Sequence, residues 1–453
     1  MIVMKFGGTS VENAAAMRNV SRLVLRHANR GPLVVASACA GVTNALLALA
    51  RNALAGGKGN AQEALEQLRS RHRKIAHELL AGEILLTVQS QIDALMDELR
   101  DLVKSIGILG ELTGRSLDTV ASFGEKLSTL LLFHEMKQEG ADCVLVNAQE
   151  VLITNADYTA AIPQFEEIDR RARSIIAPRL NAGQIVITQG FLGATADGVP
   201  TTIGRGGSDY SASIFGAALD AEEIQIWTDV DGVMTSDPSV IPEAQVIEEM
   251  TFREAAELAY FGAKVLHPAT IVPAVHKNIP VRVLNSKRPE VPGTVIVQQS
   301  RRQETRIVKS IAYKEGITLI TIASTRMLMM HGFLARVFEI FASHGKSVDV
   351  IATSEVSLSL TVDSPAHLDE IFDELKKIAD LEVESEKAIF CVVGEHLKET
   401  RGIITRVFAT LDAQDIPVSM ISLGASEINV TFVVDAQDIR RTAQALHREF
   451  FPG

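Results

Sequence analysis

Short apolar runs alternate with helix-like stretches through the first 300 residues, and no other feature restricts the possible folds as much. Ile2–Phe6, Leu33–Ala38, Gln184–Phe191, Ile224–Trp227 and Val281–Asn285 read as strands that are apolar on both faces. Between them, Leu117–Lys137 sets Leu117, Val120, Leu127, Leu130 and Leu131 near one helical face. Residues 60–105, rich in Leu, Glu, Arg and Gln and without Pro, read as a helical insert. Strands of this kind need cover on both sides, so the expectation is an α/β fold with a mainly parallel sheet sandwiched by helices. Ligands in such folds bind beyond the carboxyl ends of the strands. The unusual residues gather there, at Lys5–Ser10, Ser37–Asn44, Gly190–Asp209 and Thr228–Asp237.

The pattern changes near 290–305, where Pro289, Pro292 and Gly293 precede the polar run Gln298–Arg306. Residues 332–362 and 402–432 then match without gaps at an offset of 70. Gly332 pairs with Gly402, Arg336-Val337-Phe338 with Arg406-Val407-Phe408, Val348 with Val418, Ile351 with Ile421, and Thr361 with Thr431. Each copy reads as a Gly-started amphipathic helix, a turn and two alternating strands. A duplicated α+β unit is expected, able to pair its sheets and bury a ligand between them.

Composition narrows the function classes. The net charge is −12, no dense Lys/Arg cluster occurs and aromatics are only 5%, which argues against a nucleic-acid binder. Cys39, Cys143 and Cys391 are far apart with no CxxC spacing, so neither a disulfide framework nor a zinc site is expected. The first apolar run is broken by Lys5 and two glycines, and no run approaches the roughly 18 apolar residues of a membrane span. A cytoplasmic protein without membrane contact is the expectation.

Lys5-Phe6-Gly7-Gly8-Thr9-Ser10 ends a strand, turns on two glycines and enters a helix that Thr9-x-x-Glu12 would open as a capping box. Glycines let backbone amides approach an anion, and Lys5 adds a full charge suited to a transferring phosphoryl group. GxxxxGK[ST] is absent, so this is no Walker A loop. The alternative is a tight turn with an exposed lysine. Thr201–Asp209 makes a second Gly-rich turn into a helix. Arg205 could grip a carboxylate or phosphate, while Ser208 or Asp209 could instead be a simple N-cap. Ser37–Asn44 could seat a small substrate or be an ordinary loop. Gly124 inside a helix hints at close approach by something, and neighbouring Glu125 could bind an ammonium group or be a solvated face. Thr228–Pro238 suits a ribose or purine, or a plain turn. Lys264 offers a second cation for phosphates. His267 before Pro268 reads as structural rather than as a base, and Met327–Met330 as core.

Taken together, these segments resemble the aspartate kinases, members of the amino acid kinase family. KFGGTS at 5–10, TTIGRGGSD at 201–209, TDVDGV at 228–233 and FGAKVLHPAT at 261–270 are similar to that family's signatures in order. SVDVIATSE at 347–355 resembles its regulatory motif. The resemblance implies transfer of phosphate from ATP to L-aspartate, giving 4-phospho-L-aspartate and ADP. That step begins lysine, threonine, methionine and diaminopimelate synthesis. It further implies that Lys5, Phe6, Gly7, Gly8, Thr9 and Ser10 cradle the phosphates, that Asp209 organises the lysines, and that Lys264 binds ATP. Thr228, Asp229, Met234, Asp237 and Ser239 match the nucleotide pocket. Ser37, Thr43, Glu125, Arg205, Gly206, Gly207 and Ser208 match aspartate-binding positions, with Arg205 on a carboxylate and Glu125 on the ammonium. Mg2+ travels with the ATP phosphates, and no protein metal site is implied.

The tail resembles paired ACT domains. By resemblance the catalytic domain spans 1–297, one ACT domain spans 315–389, and the second is split into 305–314 and 390–453, with Thr305–Tyr313 supplying a strand. Met327, Gly332, Phe333, Leu334, Ser347, Val348, Asp349, Thr353 and Ser354 match effector positions for lysine and/or threonine. ACT pairing implies a homodimer or larger assembly. No dinucleotide-binding segment follows the second repeat, so a monofunctional enzyme is expected. The rivals are a kinase of glutamate or acetylglutamate, and an amino-acid sensor with a silent kinase fold. The paired tail and the GEKLS segment oppose the first, and the joint presence of Lys5, Asp209 and Lys264 opposes the second.

Overall fold

A computed structural model describes residues 1–56, 58–204, 206–261, 268–300, 306–324, 331–397, 399–423 and 427–452. Arg205, Lys264, His267, Thr305, Met327, Met329 and Met330 lie outside the described residues. In chain order the elements begin with β1 (Ile2–Phe6), α1 (Ala14–Arg26), β2 (Pro32–Ala36), α2 (Val42–Leu54), α3 (Lys58–Leu79), α4 (Gly82–Leu109), α5 (Gly114–Gln138) and β3 (Cys143–Val146). Next come α6 (Phe165–Arg171), α7 (Ala177–Asn181), β4 (Ile185–Gln189), β5 (Leu192–Ala194), β6 (Pro200–Thr202), α8 (Gly207–Ala218) and β7 (Glu223–Thr228). Then follow β8 (Glu249–Thr251), α9 (Phe252–Tyr260), α10 (Val272–His276), β9 (Val281–Asn285), β10 (Thr294–Val297), β11 (Ser310–Ala323) and α11 (Phe333–Ser343). The last are β12 (Ile351–Thr353), β13 (Ser357–Val362), α12 (Leu368–Leu375), β14 (Asp380–Val393), α13 (Ile403–Asp412), β15 (Met420–Ser422), β16 (Asn429–Asp435) and α14 (Ile439–Phe450).

The chain forms two compact units, Met1–Val233 with Val265–Gln299, and Met234–Lys264 with Ser300–Gly453. The segment 234–264 thus groups with the C-terminal unit. In the first unit the sheet order is β3-β4-β2-β1-β7-β9-β10, parallel throughout except for the β9–β10 pair. The connections diverge on either side of β1, which makes the crevice at its carboxyl end the switch point where such sheets take ligands. One face carries Ile2, Met4, Phe6, Val34 and Ala36 in a core shared with α1 to α5. On the other, α8 lies close because Gly216 faces Ile224, and a β-carbon there would stand 2.6 Å from the Ile224 side chain.

Local details differ from the sequence reading at several ends. The turn after β1 is a short 3-10 helix, Gly8–Val11, and α1 starts only at Ala14, capped by Asn13, whose side chain accepts from the Ala16 amide at 3.0 Å. The expected Thr9–Glu12 capping box does not form, because Ser10 turns inward and Glu12 already closes the 3-10 turn. Helix α2 begins at Val42, inside the segment 37–44, after Gly41 with φ +80°. The insert at 60–105 is the antiparallel pair α3 and α4.

The C-terminal unit contains one six-stranded antiparallel sheet, β12-β13-β11-β14-β16-β15. The duplication is visible in it. Helices α11 and α13 each start after a left-handed glycine, Gly332 (φ +87°) and Gly402 (φ +85°). Each copy keeps its own core, one around Ile320, Val337 and Phe341, the other around Phe390, Val407 and Phe432. The long strands β11 and β14 run through both copies and shift register between Lys314 and Leu319. The strand expected at Thr305–Tyr313 begins at Ser310 and continues to Ala323.

Candidate active site

Strand β1 is buried along its whole length, yet its fourth residue is Lys5, only 8% exposed. A lysine so placed needs a partner. Lys5 Nζ lies 2.6 Å from Asp209 Oδ1 on the first turn of α8, a close ion pair that is not aligned as a hydrogen bond. The structure thus brings together two residues 204 positions apart that the sequence assigned to one site. The N-cap of α8 is Gly206, with φ +69°, so Ser208 and Asp209 are first-turn residues and not caps. Tight packing fixes this helix start. A β-carbon on Gly207 would meet the Phe191 ring at 2.5 Å, and one on Gly190 would meet the Ser208 Cβ at 2.7 Å.

Gly7 and Gly8 follow Lys5. The Gly7 amide donates to the Trp227 carbonyl at 3.1 Å, so of the two glycine amides expected in an anion cradle this one is already engaged. Gly8 lies against the loop after β2, where a β-carbon would stand 2.9 Å from the Ala38 carbonyl oxygen. Phe6 stacks on Trp227 at 6.0 Å. Ser10 Oγ donates to Ser286 Oγ at 2.8 Å, and Ser286 Oγ donates to the Thr228 carbonyl at 3.0 Å. Ser10 therefore ties the ends of β1, β7 and β9 together. Thr9 is half-buried beside it.

Opposite, α5 presents Glu125, 3% exposed. Its Oε1 accepts from the Ala38 amide at 3.1 Å, and its Oε2 has no partner among the described residues. Burial pushes this carboxyl up to about 8, and the Ala38 amide offsets only part of that. Gly124 makes the approach possible, since a β-carbon there would lie 2.8 Å from the Ala38 Cβ. Ser128 Oγ, one turn on, donates to the Ser37 carbonyl at 2.7 Å. Cys39 closes the wall, its thiol pushed up to about 12 by burial and donating to the Val11 carbonyl.

These groups frame one cleft of about 810 Å³. Its lining includes Lys5, Gly8, Ser37, Thr43, Glu125, Gly206, Gly207, Ser208 and Asp209, together with Asp118, Thr159 and Thr202. A cation paired with a carboxylate stands at the strand end, and on α5 stands a buried carboxyl with one oxygen, Oε2, free of partners among the described residues. Such a cleft suits a small molecule that is both anionic and cationic. Asp118 and Thr159 were not anticipated, and Thr202 lies in the 201–209 segment without a role of its own assigned there. Asp118 precedes Glu125 by seven residues, about two helical turns on the same face, and that spacing of acids was the available signal.

The expected nucleotide residues divide between the two units. In the first, Thr228 Oγ1 donates to Asp229 Oδ1 at 3.2 Å, and Asn285 Nδ2 donates to Asp231 Oδ1 at 2.7 Å. In the second, Met234 accepts from Ser310 Oγ through its carbonyl at 2.8 Å, and Ser239 donates to Asp237 Oδ1 from both its amide and its hydroxyl. The expected effector residues lie in the second unit. Gly332 caps α11, Phe333 is buried, and Leu334, Ser347, Thr353 and Ser354 are exposed. Val348 packs against the core of the first copy. Asp349 Oδ1 accepts from Lys314 Nζ at 3.1 Å and from the Tyr260 hydroxyl at 3.0 Å, while Oδ2 is buried without a partner among the described residues. Among the described residues no group of three or more His, Cys, Asp or Glu is arranged to hold a metal, and no helix is long and apolar enough to cross a membrane.

The amino acid kinase family model matches residues 1–285, and an ACT domain model matches residues 390–450. The chain is 39% identical to aspartokinase 2, chloroplastic, of Arabidopsis thaliana, over 99% of this chain and 84% of that one. It is 38% identical to the lysine-sensitive aspartokinase 3 of Escherichia coli, over 100% of this chain and 99% of that one. Among solved structures, E. coli aspartokinase III in complex with aspartate and ADP (R-state) superposes with a TM-score of 0.84 at 37% identity, covering all of both chains. The same protein with lysine and aspartate (T-state) also gives 0.84 at 37% identity, covering 100% of this chain and 99% of that one. Similar in sequence and fold along its full length to these enzymes, the chain belongs to the aspartokinases of the amino acid kinase family.

Proposed function

We propose that the chain transfers the γ-phosphoryl group of ATP to the side-chain carboxylate of L-aspartate, giving 4-phospho-L-aspartate and ADP. The observation that carries this is the placement, in one cleft, of the Lys5–Asp209 ion pair and the buried Glu125 carboxyl, whose Oε2 has no partner among the described residues. Aspartate has an ammonium for Glu125 and two carboxylates for cations. The E. coli relative whose structure holds aspartate and ADP matches over the whole chain. A side-chain carboxylate oxygen attacks the γ-phosphorus, the bond to the β,γ-bridging oxygen breaks, and ADP leaves. The nucleophile is already an anion, so no general base is needed. Catalysis rests on positioning and charge neutralisation.

In this reading Lys5, Gly8 and Lys264 hold phosphate, and Asp209 orients Lys5. Arg205, Ser37, Thr43, Gly206, Gly207 and Ser208 hold aspartate. Thr228, Asp229, Met234, Asp237 and Ser239 hold the nucleotide. Mg2+ arrives on the ATP phosphates. The catalytic domain corresponds to 1–297, one ACT domain to 315–389 and the second to 305–314 with 390–453. Asp349 and the surrounding residues take an amino-acid effector, lysine by likeness to the E. coli relative and threonine as the alternative. A cytoplasmic homodimer or larger assembly completes the proposal.

Hydroxylamine traps an acyl phosphate as its hydroxamate. Incubation with ATP, Mg2+ and aspartate is expected to give hydroxamate, with glutamate and N-acetylglutamate giving none. Product with glutamate but not aspartate would overturn the substrate. Adding lysine and threonine separately to the same assay identifies the inhibitor.

A further inference from the structure

Asp118 sits on α5 and lines the cleft, 2% exposed, with no cation within salt-bridge reach among the described residues. Its Oδ2 accepts from two backbone amides, Thr159 at 2.9 Å and Thr202 at 3.0 Å, and its Oδ1 accepts from Thr202 Oγ1 at 2.6 Å. The two amides belong to separate segments. Thr159 lies in the loop between β3 and α6 and has φ +73°, which a β-branched residue adopts only when held there. Thr202 ends β6 and leads into the Gly-rich turn before α8. Both segments line the cleft, and they touch each other: a β-carbon on Gly204 would lie 3.7 Å from the Thr159 carbonyl oxygen. The same helix carries Glu125 two turns further on.

We infer that Asp118 is a positioning residue for the acceptor substrate: it fastens the 159 loop and the end of β6 to the helix that bears Glu125, and so fixes the distance between the groups that grip the two ends of the amino acid. This inference rests on the reading of the cleft as an aspartate site. Asp118 itself has both oxygens occupied and need not touch the substrate. A carboxylate is not essential for such a clasp. An asparagine offers one oxygen to the two amides, and its NH2 can donate to the Thr202 hydroxyl, which then accepts. Alanine offers nothing, and leaves the buried Thr202 amide and the part-buried Thr159 amide without this acceptor.

The test compares Asp118→Asn, Asp118→Ala and Thr202→Val in the full chain by steady-state kinetics with hydroxamate trapping, with thermal melting to establish folding. Asp118→Ala is expected to raise KM for aspartate by about tenfold or more and to lower kcat, with KM for ATP within about twofold of the parent, because a misplacement near 1 Å costs on that scale. Asp118→Asn is expected to restore most of the loss, and Thr202→Val to fall between. Adding Thr202→Val to Asp118→Ala is expected to cost little more, since both remove the same clasp. A folded Asp118→Ala with unchanged KM for aspartate overturns the inference, as does an Asp118→Asn as impaired as the alanine. If Asp118→Ala does not fold, the asparagine and valine variants carry the test, and equal parental kinetics for Thr202→Val overturn it. A parent protein that turns over no aspartate refutes the substrate assignment itself, a result distinct from any of these.

Discussion

The α-carbon of Gly124 faces the methyl of Ala38 so closely that a β-carbon would stand 2.8 Å from it, inside van der Waals contact. In an exposed helix, Gly→Ala stabilises by ~1 kcal/mol. Here the sign reverses, because the clash pushes α5 from the loop that Glu125 holds through the Ala38 amide. Gly124→Ala is expected to cost ~1–3 kcal/mol, as overpacked cores do. A lowered melting temperature together with a raised KM for aspartate checks it. A variant more stable than the parent contradicts the packing.

Lys5 is expected to matter for the chemical step more than for binding. Lys5→Met should lower kcat by ~10²–10³, the scale on which one electrostatic donor to a developing charge acts. Losing Lys5 also strands the Asp209 carboxylate 2.6 Å away. Lys5→Met combined with Asp209→Asn should therefore recover stability without recovering turnover. Melting and single-turnover rates separate the two effects. Near-normal kcat in a folded Lys5→Met removes Lys5 from the mechanism.

Much of this site could be read from the sequence, and the unread remainder has physical reasons. Lys5 in an otherwise apolar strand and Gly124 in a helix interior are locally costly residues, and local cost is visible without coordinates. The pairing of Lys5 with Asp209 was within reach because both lie at strand-to-helix turns of one sheet. The 3-10 turn at Gly8–Val11 was missed because Thr9 and Glu12 imitate a capping box, while the side chain that actually caps α1 is Asn13. The engagement of the Gly7 amide by Trp227 depends on strand register, which a single sequence does not encode locally. Asp118 went unread because its partners, Thr159 and Thr202, are 41 and 84 residues away.

Glu125 gives a pH signature. Its folded carboxyl keeps its proton to about 8, while its ordinary value is 4.5. Between these values the unfolded chain has lost a proton that the folded chain retains, so this group's contribution to stability falls as pH rises, by up to ~1.4 kcal/mol per pH unit. Glu125→Gln keeps an acceptor for the Ala38 amide and removes the titration. Without aspartate, the stability of Glu125→Gln relative to the parent is expected to grow from pH 5 to pH 8. Denaturant unfolding across that range checks this, and parallel profiles contradict it. In the parent, KM for aspartate should fall over the same range as the carboxylate forms and meets the ammonium.

Asp349 is expected to carry effector sensitivity. Its Oδ1 serves Lys314 and Tyr260, and its buried Oδ2 has no partner among the described residues. Asp349→Ala should raise the effector concentration for half-inhibition by about tenfold or more, within the usual range of allosteric coupling. Lys314 retains Asp363 at 2.9 Å, so the fold should survive and uninhibited kcat should change little. Inhibition curves with lysine and with threonine decide it. An unchanged curve excludes Asp349 from the effector site.

The most direct test of the central claim asks which carboxylate receives the phosphoryl group. Borohydride reduces an acyl phosphate to the alcohol, so the product of ATP and L-aspartate can be reduced as it forms and identified by mass spectrometry and chromatography. Phosphorylation of the side-chain carboxylate predicts homoserine, dependent on ATP and abolished in Lys5→Met. Formation of 3-amino-4-hydroxybutanoate, or of no alcohol at all, contradicts it.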